Sequence, residues 1–477
     1  MSEPRQPGRD SRWLALLVCC SAMFMTLLDV SVTNVALPSI GRSTGAGASE
    51  LQWVVSSYTL AFGLVPVLGG RLGDDHGRQR MFLIGVSTFA ATSMLAGLAP
   101  NAWTLIVARV LQGLSGGLIN PQVSGLIQQM FRGNERGRAF GMMGTTVGLG
   151  TALGPIVGGA LIELGGPQLG WRLVFFINVP IGIAVVAMAR RLLPQHPPTG
   201  QHRLDVLGSA LLGLATLCVL LIAVEYTALK DERLFWLGAP AALLFALFWR
   251  RERRLTRGEA DPLVDLRLFR RPSYTAGVAL ALAYFPAMAG LPFVLAIYYQ
   301  DGLGYSPLES ALGVTAYALG NAVSAPVAGR FVTRIGRPLV VAAATTFGLG
   351  AIAMALVVHQ GPAAHAALVL AAPLFVMGCG SGALITPNQT LSLSDVDPVA
   401  GSTAGGVLQT AQRIGLAIGQ AVITSVFFAA LGTGHGAGEY GRAVAAAAVA
   451  SLCFVVVAIA VGVIDLRVAR RRPEQRA

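Results

Sequence analysis

The feature that most constrains this chain is a series of apolar segments, each long enough to cross a lipid bilayer. A spanning helix needs about 20 mostly apolar residues. Charged residues make up only 12% of the 477-residue chain, against about 25% in soluble domains. The sequence therefore predicts an all-α integral membrane protein with fourteen transmembrane helices. The predicted spans lie at about 13–37, 51–70, 80–99, 103–128, 138–163, 172–193, 204–224, 234–249, 273–300, 308–329, 339–359, 364–386, 400–430 and 442–466.

Positive charge is unevenly distributed between the two sides that these spans define. With the N-terminus in the cytoplasm, 28 of the 35 lysines and arginines fall in cytoplasmic segments and five fall outside. An excess of Lys and Arg marks cytoplasmic loops, so the count supports fourteen helices. We expect a multi-pass protein of the cell inner (plasma) membrane with both termini cytoplasmic. This topology explains the net charge of +12, so we expect no nucleic-acid partner.

Two stretches of the chain occur twice, which predicts two related halves. Residues 70–78 (GRLGDDHGR) align with 329–337 (GRFVTRIGR), and 118–121 (LINP) align with 384–387 (LITP). Parallel repeats around a central site are a transporter architecture. A basic connector at 251–271 is expected to be partly helical. It either fixes the topology or lies along the anionic leaflet. The predicted parts are an N-terminal six-helix half at 1–200, two inserted transmembrane helices at 201–250, a cytoplasmic basic connector at 251–271 and a C-terminal six-helix half at 272–477.

One carboxylate, Asp29, lies deep inside the first span. A charged side chain at that depth is costly and usually functional. Because burial disfavours the charged form, such an acid can load and release a proton. Thr26 and Thr33 share its helical face at steps of three and four residues, so we expect all three side chains to line a central cavity. The alternative is a structural acid satisfied by neighbouring hydroxyls.

A second polar stripe follows the fourth span, at Arg109, Gln112, Gly116 and Asn120. Arginine does not lose its proton in a protein, so Arg109 needs an acceptor. Asp29 is one candidate, and a backbone carbonyl or a water cluster is the other. An arginine beside the acid favours its charged form, so separating the two side chains would change the affinity for protons. Arg413 in the thirteenth span either holds an anionic substrate or bridges helices.

Glycine-rich motifs lie at two further places. After the second span, Gly70 and Gly77 permit a sharp turn. Asp74, Arg78 and Arg80 beside them can pair or cap helix ends. These five residues are predicted to form a cytoplasmic latch.

The fifth span holds the other glycine-rich motif, Gly154-Pro155-x-x-Gly158-Gly159. Proline removes a helix hydrogen bond, and small residues let helices approach closely. We expect a tight helix contact that prevents leakage and makes no contact with substrate.

Together these motifs resemble the fourteen-helix drug:proton antiporter branch of the major facilitator superfamily, over essentially the whole chain. The resemblance implies the major facilitator fold. It also implies a substrate cavity that includes Asn388. One departure is Asp75, which stands where the branch usually has arginine and adds negative charge beside Asp74. The matching motifs are Leu28-Asp29 through Leu37-Pro38, Gly70-x-x-x-Asp74-x-x-Gly77-Arg78-x-Arg80, Arg109-x-x-Gln112-Gly113, Gly154-Pro155-x-x-Gly158-Gly159, Trp171 through Pro180 and Thr386-Pro387-Asn388.

The resemblance implies export of lipophilic drugs or natural products from the cytoplasm by alternating access. Asp29 is the expected protonatable coupling residue, with Arg109 as its partner and Thr26, Thr33, Gln112, Asn120, Asn388 and Arg413 lining the substrate cavity. The sequence holds no phosphate-binding loop for a nucleotide, so the energy must come from an ion gradient. The alternative is the same mechanism serving a dedicated metabolite or lipid.

Other classes of protein fit less well. A channel needs a continuous pore with a selectivity ring, and paired halves argue against one. An enzyme or a metal site is not expected, because the six histidines lie in or next to loops and the five cysteines have no paired metal spacing. We therefore expect a monomer without cofactor or metal, whose partners are a small lipophilic substrate, protons and membrane lipids.

Overall fold

Long α-helices form this fold, as the apolar segments predict. The computed structural model describes residues 9–195, 205–229, 232–258, 261–360, 365–432 and 436–470. Short 3-10 segments lie at Glu232–Leu237, Leu266–Arg270 and Pro398–Ala400, and a π turn lies at Tyr298–Gly302. The α-helices are α1 (Arg9–Thr44), α2 (Ala48–Leu64), α3 (Pro66–His76), α4 (Arg78–Leu98), α5 (Ala102–Met130), α6 (Gly133–Phe176), α7 (Asn178–Leu192), α8 (Val206–Leu229), α9 (Gly238–Arg257), α10 (Pro272–Ala289), α11 (Leu291–Ile297), α12 (Pro307–Ile335), α13 (Arg337–His359), α14 (Ala366–Ser392), α15 (Gly401–Leu431) and α16 (Ala437–Arg470).

The predicted count of fourteen spans agrees with these helices. In the described part of the chain, thirteen helical stretches are long and apolar enough to cross a membrane. The pair α2–α3, bent by 47°, makes a fourteenth. Helix α6 contains the fifth span and the start of the sixth. A break in the helical backbone at Gly166 (φ 67°, ψ −171°) separates the two spans. Such a dihedral pair is open to glycine and strained for other residues.

The second span differs from its prediction because helix continues where a loop was expected. Pro66 begins α3, a position that suits proline because the first helical N–H needs no partner. The motif that starts at Gly70 therefore lies mostly in helix and not in a loop. The turn itself is made at Gly77, whose φ of 98° favours glycine. Similarly, α14 runs to Ser392 and includes Asn388, although the predicted span ends at 386.

The inserted helices α8 and α9 follow the N-terminal helices α1–α7 and precede the C-terminal helices α10–α16. Together they contact both groups. Leu220 of α8 packs with Leu60 of α2 and with Ala417 of α15. On the other side, Val67 of α3 packs with Phe248 of α9. The predicted domain boundary at 200/201 lies outside the described residues, and the domain ranges remain a prediction.

The basic connector is fastened to the inserted helices by buried carboxylates. Arg251 donates through Nε to both oxygens of Asp205, each at 2.9 Å. Asp205 also accepts a hydrogen bond from the backbone N–H of Gly208 at 2.8 Å. Glu252 accepts from the backbone N–H of Val264 at 3.1 Å. The end of α9 and residues 261–271 therefore form one ordered unit.

Candidate functional site

Asp29 lies at the centre of a buried polar cluster. It is 1% exposed, and three side chains donate hydrogen bonds to its carboxylate. Arg109 donates to Oδ2 through Nη1. Gln112 donates to Oδ1 at 2.9 Å and Asn178 donates to the same oxygen at 2.8 Å. All three partners are donors, which matches the acceptor oxygens of a carboxylate.

Arg109 contacts both an acid and a backbone carbonyl, the two kinds of protein acceptor that the sequence could not decide between. Besides Asp29, its Nε donates to the backbone oxygen of Val54 at 3.2 Å, and its Nη1 donates to Oε1 of Gln112 at 2.8 Å. Its guanidinium carbon lies 4.2 Å from the ring centre of Tyr58. The cation is therefore held by an acid, an amide, a carbonyl and an aromatic face, which compensates for its removal from water.

The sequence did not single out Asn178 as a site residue. It is the first residue of α7, after the helix is interrupted at Ile177. Its Nδ2 donates both to Asp29 and to the hydroxyl of Ser93, at 3.0 Å. The available signal was a carboxamide inside an apolar run, and it carried no indication of which helix it would reach.

Three other predicted cavity residues donate hydrogen bonds to backbone oxygens. The hydroxyls of Thr26 and Thr33 donate to their own helix, at Met23 O (2.8 Å) and Asp29 O (2.6 Å). Asn388 donates to the backbone oxygen of Gly277 at 3.1 Å. The hydrogen bonds that these three side chains donate therefore go to backbone oxygens and not to the carboxylate of Asp29.

The latch joins the two halves at the end that the sequence assigns to the cytoplasm. Asp74 accepts hydrogen bonds from the backbone N–H groups of Ser402 (3.1 Å) and Thr403 (2.8 Å), in the first turn of α15. The residue before that helix, Ala400, has no side chain that can cap it. Asp74 therefore provides the cap from the opposite half, in the position where a carboxylate is most stabilising.

Arg78 strengthens the same contact. It pairs with Asp74 at 2.7 Å, and it donates to the backbone oxygens of Gly125 at 2.9 Å and Val399 at 3.1 Å. Gly70 allows close approach here, because a Cβ at that position would lie 2.3 Å from the backbone oxygen of Ser402. Arg80 is exposed, and no hydrogen bond or ion pair of its side chain is found within the described ranges.

Asp75 has a different partner from Asp74. Its carboxylate pairs with Arg71, one turn earlier on α3, at 3.0 Å. The substitution of an acid for the usual arginine is therefore balanced within the same helix. In the sequence repeat, Arg337 likewise pairs within its own half, with Asp465 at 2.7 Å.

The glycine motif of α6 packs on the helix that carries Asp29. A Cβ at Gly154 would lie 2.1 Å from the hydroxyl oxygen of Ser31, and one at Gly158 would lie 3.0 Å from Val32. A Cβ at Gly159, however, would meet no atom of the described residues within 4 Å. Pro155 faces the opposite half, where it lines a small apolar cavity.

This cavity lies between α6 and the C-terminal helices. Its volume is about 110 Å³, and its lining residues include Thr151, Pro155, Met288, Leu291 and Phe347. Apolar walls of this kind suit a lipophilic ligand. The halves are thus joined at the latch and along the contact between α6 and α12, and they enclose an apolar space farther along α6.

Comparison with known proteins gives a family match over most of the chain. The sequence profile of the Major Facilitator Superfamily matches residues 19–420. The "Probable actinorhodin transporter" of Streptomyces coelicolor is 38% identical over 430 residues, covering 90% of this chain and 74% of that protein. The "Tetracenomycin C resistance and export protein" of Streptomyces glaucescens is 32% identical, covering 88% and 77%.

A third relative and a solved structure agree with this match. The "Multidrug resistance protein Stp" of Mycobacterium tuberculosis is 31% identical, covering 87% of this chain and 76% of that protein. Among solved structures, the proton:xylose symporter XylE superposes with a TM-score of 0.66 at 15% identity, covering 94% of this chain and 96% of that one. At that identity the likeness shows the fold alone.

Proposed function

The chain belongs to the major facilitator superfamily, and from that membership we propose that it is a proton-coupled antiporter that exports lipophilic drugs or natural products. It is a multi-pass membrane transporter, and its similarity to antibiotic and multidrug exporters supports efflux. The observation that carries the proton coupling is the carboxylate of Asp29, buried in the first span with its cationic partner Arg109. An acid at that depth on α1, held by donors from α5 and α7, is suited to a switch in protonation.

The cluster couples proton binding to helix contacts. When Asp29 is charged, it accepts hydrogen bonds from Arg109, Gln112 and Asn178. A proton on Asp29 removes the charge that holds Arg109, and an uncompensated buried cation is strongly disfavoured. Because Arg109 keeps its proton, the guanidinium must find other partners. Proton loading therefore favours a rearrangement of α1 against α5.

Asp29 and Arg109 belong to the same half, so rocking the halves as rigid bodies would leave their contact intact. The change that releases the pair must arise within the N-terminal helices, through movement of α1, α5 or α7. The latch, in contrast, joins α3 to α15 across the halves. We propose that opening of this contact exposes the centre to the cytoplasm, and that protonation of Asp29 biases that equilibrium.

The energy for export is drawn from the proton gradient in this scheme. Substrate leaves the cytoplasm while a proton enters through Asp29. The narrower alternative, a single dedicated metabolite, is favoured by the names of two relatives that each mention one compound. A survival panel of toxic lipophilic compounds in a pump-deleted bacterial host separates the two, since a dedicated exporter protects against one chemical class.

Replacing Asp29 with asparagine tests the coupling directly. The change keeps the shape of the side chain and removes its titratable group. We expect Asp29→Asn to abolish pH-gradient-driven uptake of a protective compound into inverted vesicles, while binding of that compound to the purified protein persists. The matched control is Glu439→Gln, because Glu439 is exposed near the start of α16. Uptake at the wild-type rate in Asp29→Asn would assign the proton to another carboxylate.

A further inference from the structure

Arg413 is an intramembrane cation that the coupling cluster does not use. It lies on α15, half-buried, with its guanidinium carbon 4.2 Å from the ring centre of Phe62 on α2. No ion pair or hydrogen bond of its side chain is found among the described residues. A cation–π contact compensates only part of the cost of burying a guanidinium. Its five N–H donors therefore have no hydrogen-bond acceptor in the described part of the protein.

Helix α5, which packs against α15, carries polar side chains at the same depth as Arg413. Gln409 of α15 donates to the hydroxyl of Ser124 on α5 at 3.3 Å. The two helices run in opposite directions, and one helical turn separates Gln409 from Arg413 and Ser124 from Asn120. Arg413 and Asn120 therefore lie at the same level. This level is one turn farther from the latch than the Gln409–Ser124 contact.

Two buried acceptor atoms, one at this level and one a turn closer to the latch, also lack partners. Oδ1 of Asn120 and Oε1 of Gln409 have no hydrogen bond in the part of the chain that the structure describes. The ring of Phe62 closes one side, because a Cβ at Gly116 on α5 would lie 2.9 Å from it. Buried polar atoms are rarely left unpaired, so a cation, two amide acceptors and an aromatic face here define an unfilled polar site.

The local charge selects the kind of ligand that fits. Asp29 and Arg109 neutralise each other, so Arg413 leaves the centre between α2, α5 and α15 with one uncompensated positive charge. A cationic ligand would be repelled there. A carboxylate or phenolate would pair with the guanidinium, and such charge-assisted hydrogen bonds are the strong ones.

We propose that Arg413 binds an acidic group of the exported substrate, so that the transported class is lipophilic, aromatic organic anions. The inference rests on the proposed export function and names its substrate class. The acidic group pairs with Arg413, the aromatic body lies against Phe62, and hydroxyl groups of the ligand donate to Asn120 and Gln409.

This assignment has a consequence for energetics. An anion that leaves the cell and a proton that enters it both move charge in the direction favoured by an inside-negative potential. Exchange of one anion for one proton would therefore be driven by the voltage as well as by the pH difference. A neutral substrate would draw on half of that charge movement, and a cation on none.

Three dansyl compounds that share one fluorophore test the proposal. Dansylglycine carries a carboxylate, dansylglycinamide is its neutral counterpart and dansylcadaverine carries an ammonium group. Binding to the purified full-length protein in nanodiscs is measured by fluorescence. We expect wild type to bind dansylglycine roughly tenfold or more tightly than the amide, the scale of one charge-assisted pair. Arg413→Gln should bind the two equally, and Arg413→Lys should keep most of the preference.

Controls separate this inference from the coupling proposal. Arg442→Gln, at an exposed arginine of α16, should keep the carboxylate preference. Asp29→Asn should not weaken that preference, because it removes negative charge beside Arg109, but it should lose proton-driven uptake. The inference is overturned if wild type shows no preference for the carboxylate, if the preference survives in Arg413→Gln, or if that variant loses binding of all three compounds alike. The last result would identify a structural role for Arg413. None of these three results would change the role proposed for Asp29.

Discussion

At the level of single residues, two adjacent carboxylates illustrate how different partners give different roles. Asp74 reaches across to the first turn of α15 and caps it, whereas Asp75 pairs with Arg71 on its own helix. Both lie on α3 and differ by one position in sequence. Because α3 turns by about 100° per residue, neighbouring side chains point in different directions, and the carboxylate of Asp74 is the one that accepts from the first turn of α15.

We therefore expect Asp74→Ala to open the latch and Asp75→Ala to leave it closed. Loss of a helix cap costs about 0.5–2 kcal/mol, enough to change the open fraction by about two- to thirtyfold. The reporter is Ser402→Cys, because Ser402 is fully buried at this contact. Its labelling by a membrane-impermeant maleimide in inverted vesicles should rise in Asp74→Ala alone.

All five native cysteines are replaced by alanine in that background. A labelling rate that rises equally in both variants would show that the total acidic charge on α3, and not the cap on α15, keeps the halves together.

At the level of helices, the contact between α6 and α1 connects the glycine motif with the coupling cluster. Gly158 packs against Val32, one turn from Asp29 on α1, whereas Gly159 faces open space. The sequence treated both glycines as part of one tight contact, and the structure brings only Gly154 and Gly158 to α1. Close approach of two helices depends on missing side chains at the contacting positions.

Gly158→Leu should abolish transport, and Gly159→Leu should be tolerated. A leucine at 158 would displace α1, since overpacking typically costs about 1–3 kcal/mol, and would move Asp29 with it. Uptake of each protective compound into inverted vesicles is compared with passive proton leak in the same vesicles. The loss in Gly158→Leu should be the same for all compounds. If Gly158→Leu loses transport of one compound and keeps that of the others, the motif contacts substrate. The position of Pro155 in the lining of the apolar cavity would agree with that result.

At the level of the whole molecule, the inserted pair α8–α9 is expected to leave the relative orientation of the two halves unchanged. Two extra spans keep the second half in the same orientation as the first, because an even number of crossings returns the chain to its starting side. The positive-inside count depends on this, since removal of one early helix would exchange the sides of every later loop.

Reporter fusions measure that topology. Fusions after about residue 260, beyond α9, should report the cytoplasm, and fusions near residue 230, between α8 and α9, should report the exterior. The expected pattern follows from 28 of 35 positive charges lying on one side. An exterior signal from the position near 260 would contradict the count of eight preceding spans.

The sequence by itself determined the properties that depend on neighbouring residues along the chain. Apolar length gave the spans, because a helix in lipid must satisfy its own backbone. Periodicity placed Gln112 one turn from Arg109, and the cost of burial made Asp29 a functional candidate. None of these inferences needed to know how the helices are arranged.

Only the tertiary structure decided which polar groups meet. The donors to Asp29 come from positions 80, 83 and 149 residues away, and Asp74 caps a helix that lies 329 residues farther along the chain. Asn178 was missed for this reason, and Arg80 and Gly159 were grouped with neighbours whose contacts they do not share. A buried polar side chain must be paired, but its partner depends on helix packing, which local hydropathy does not encode.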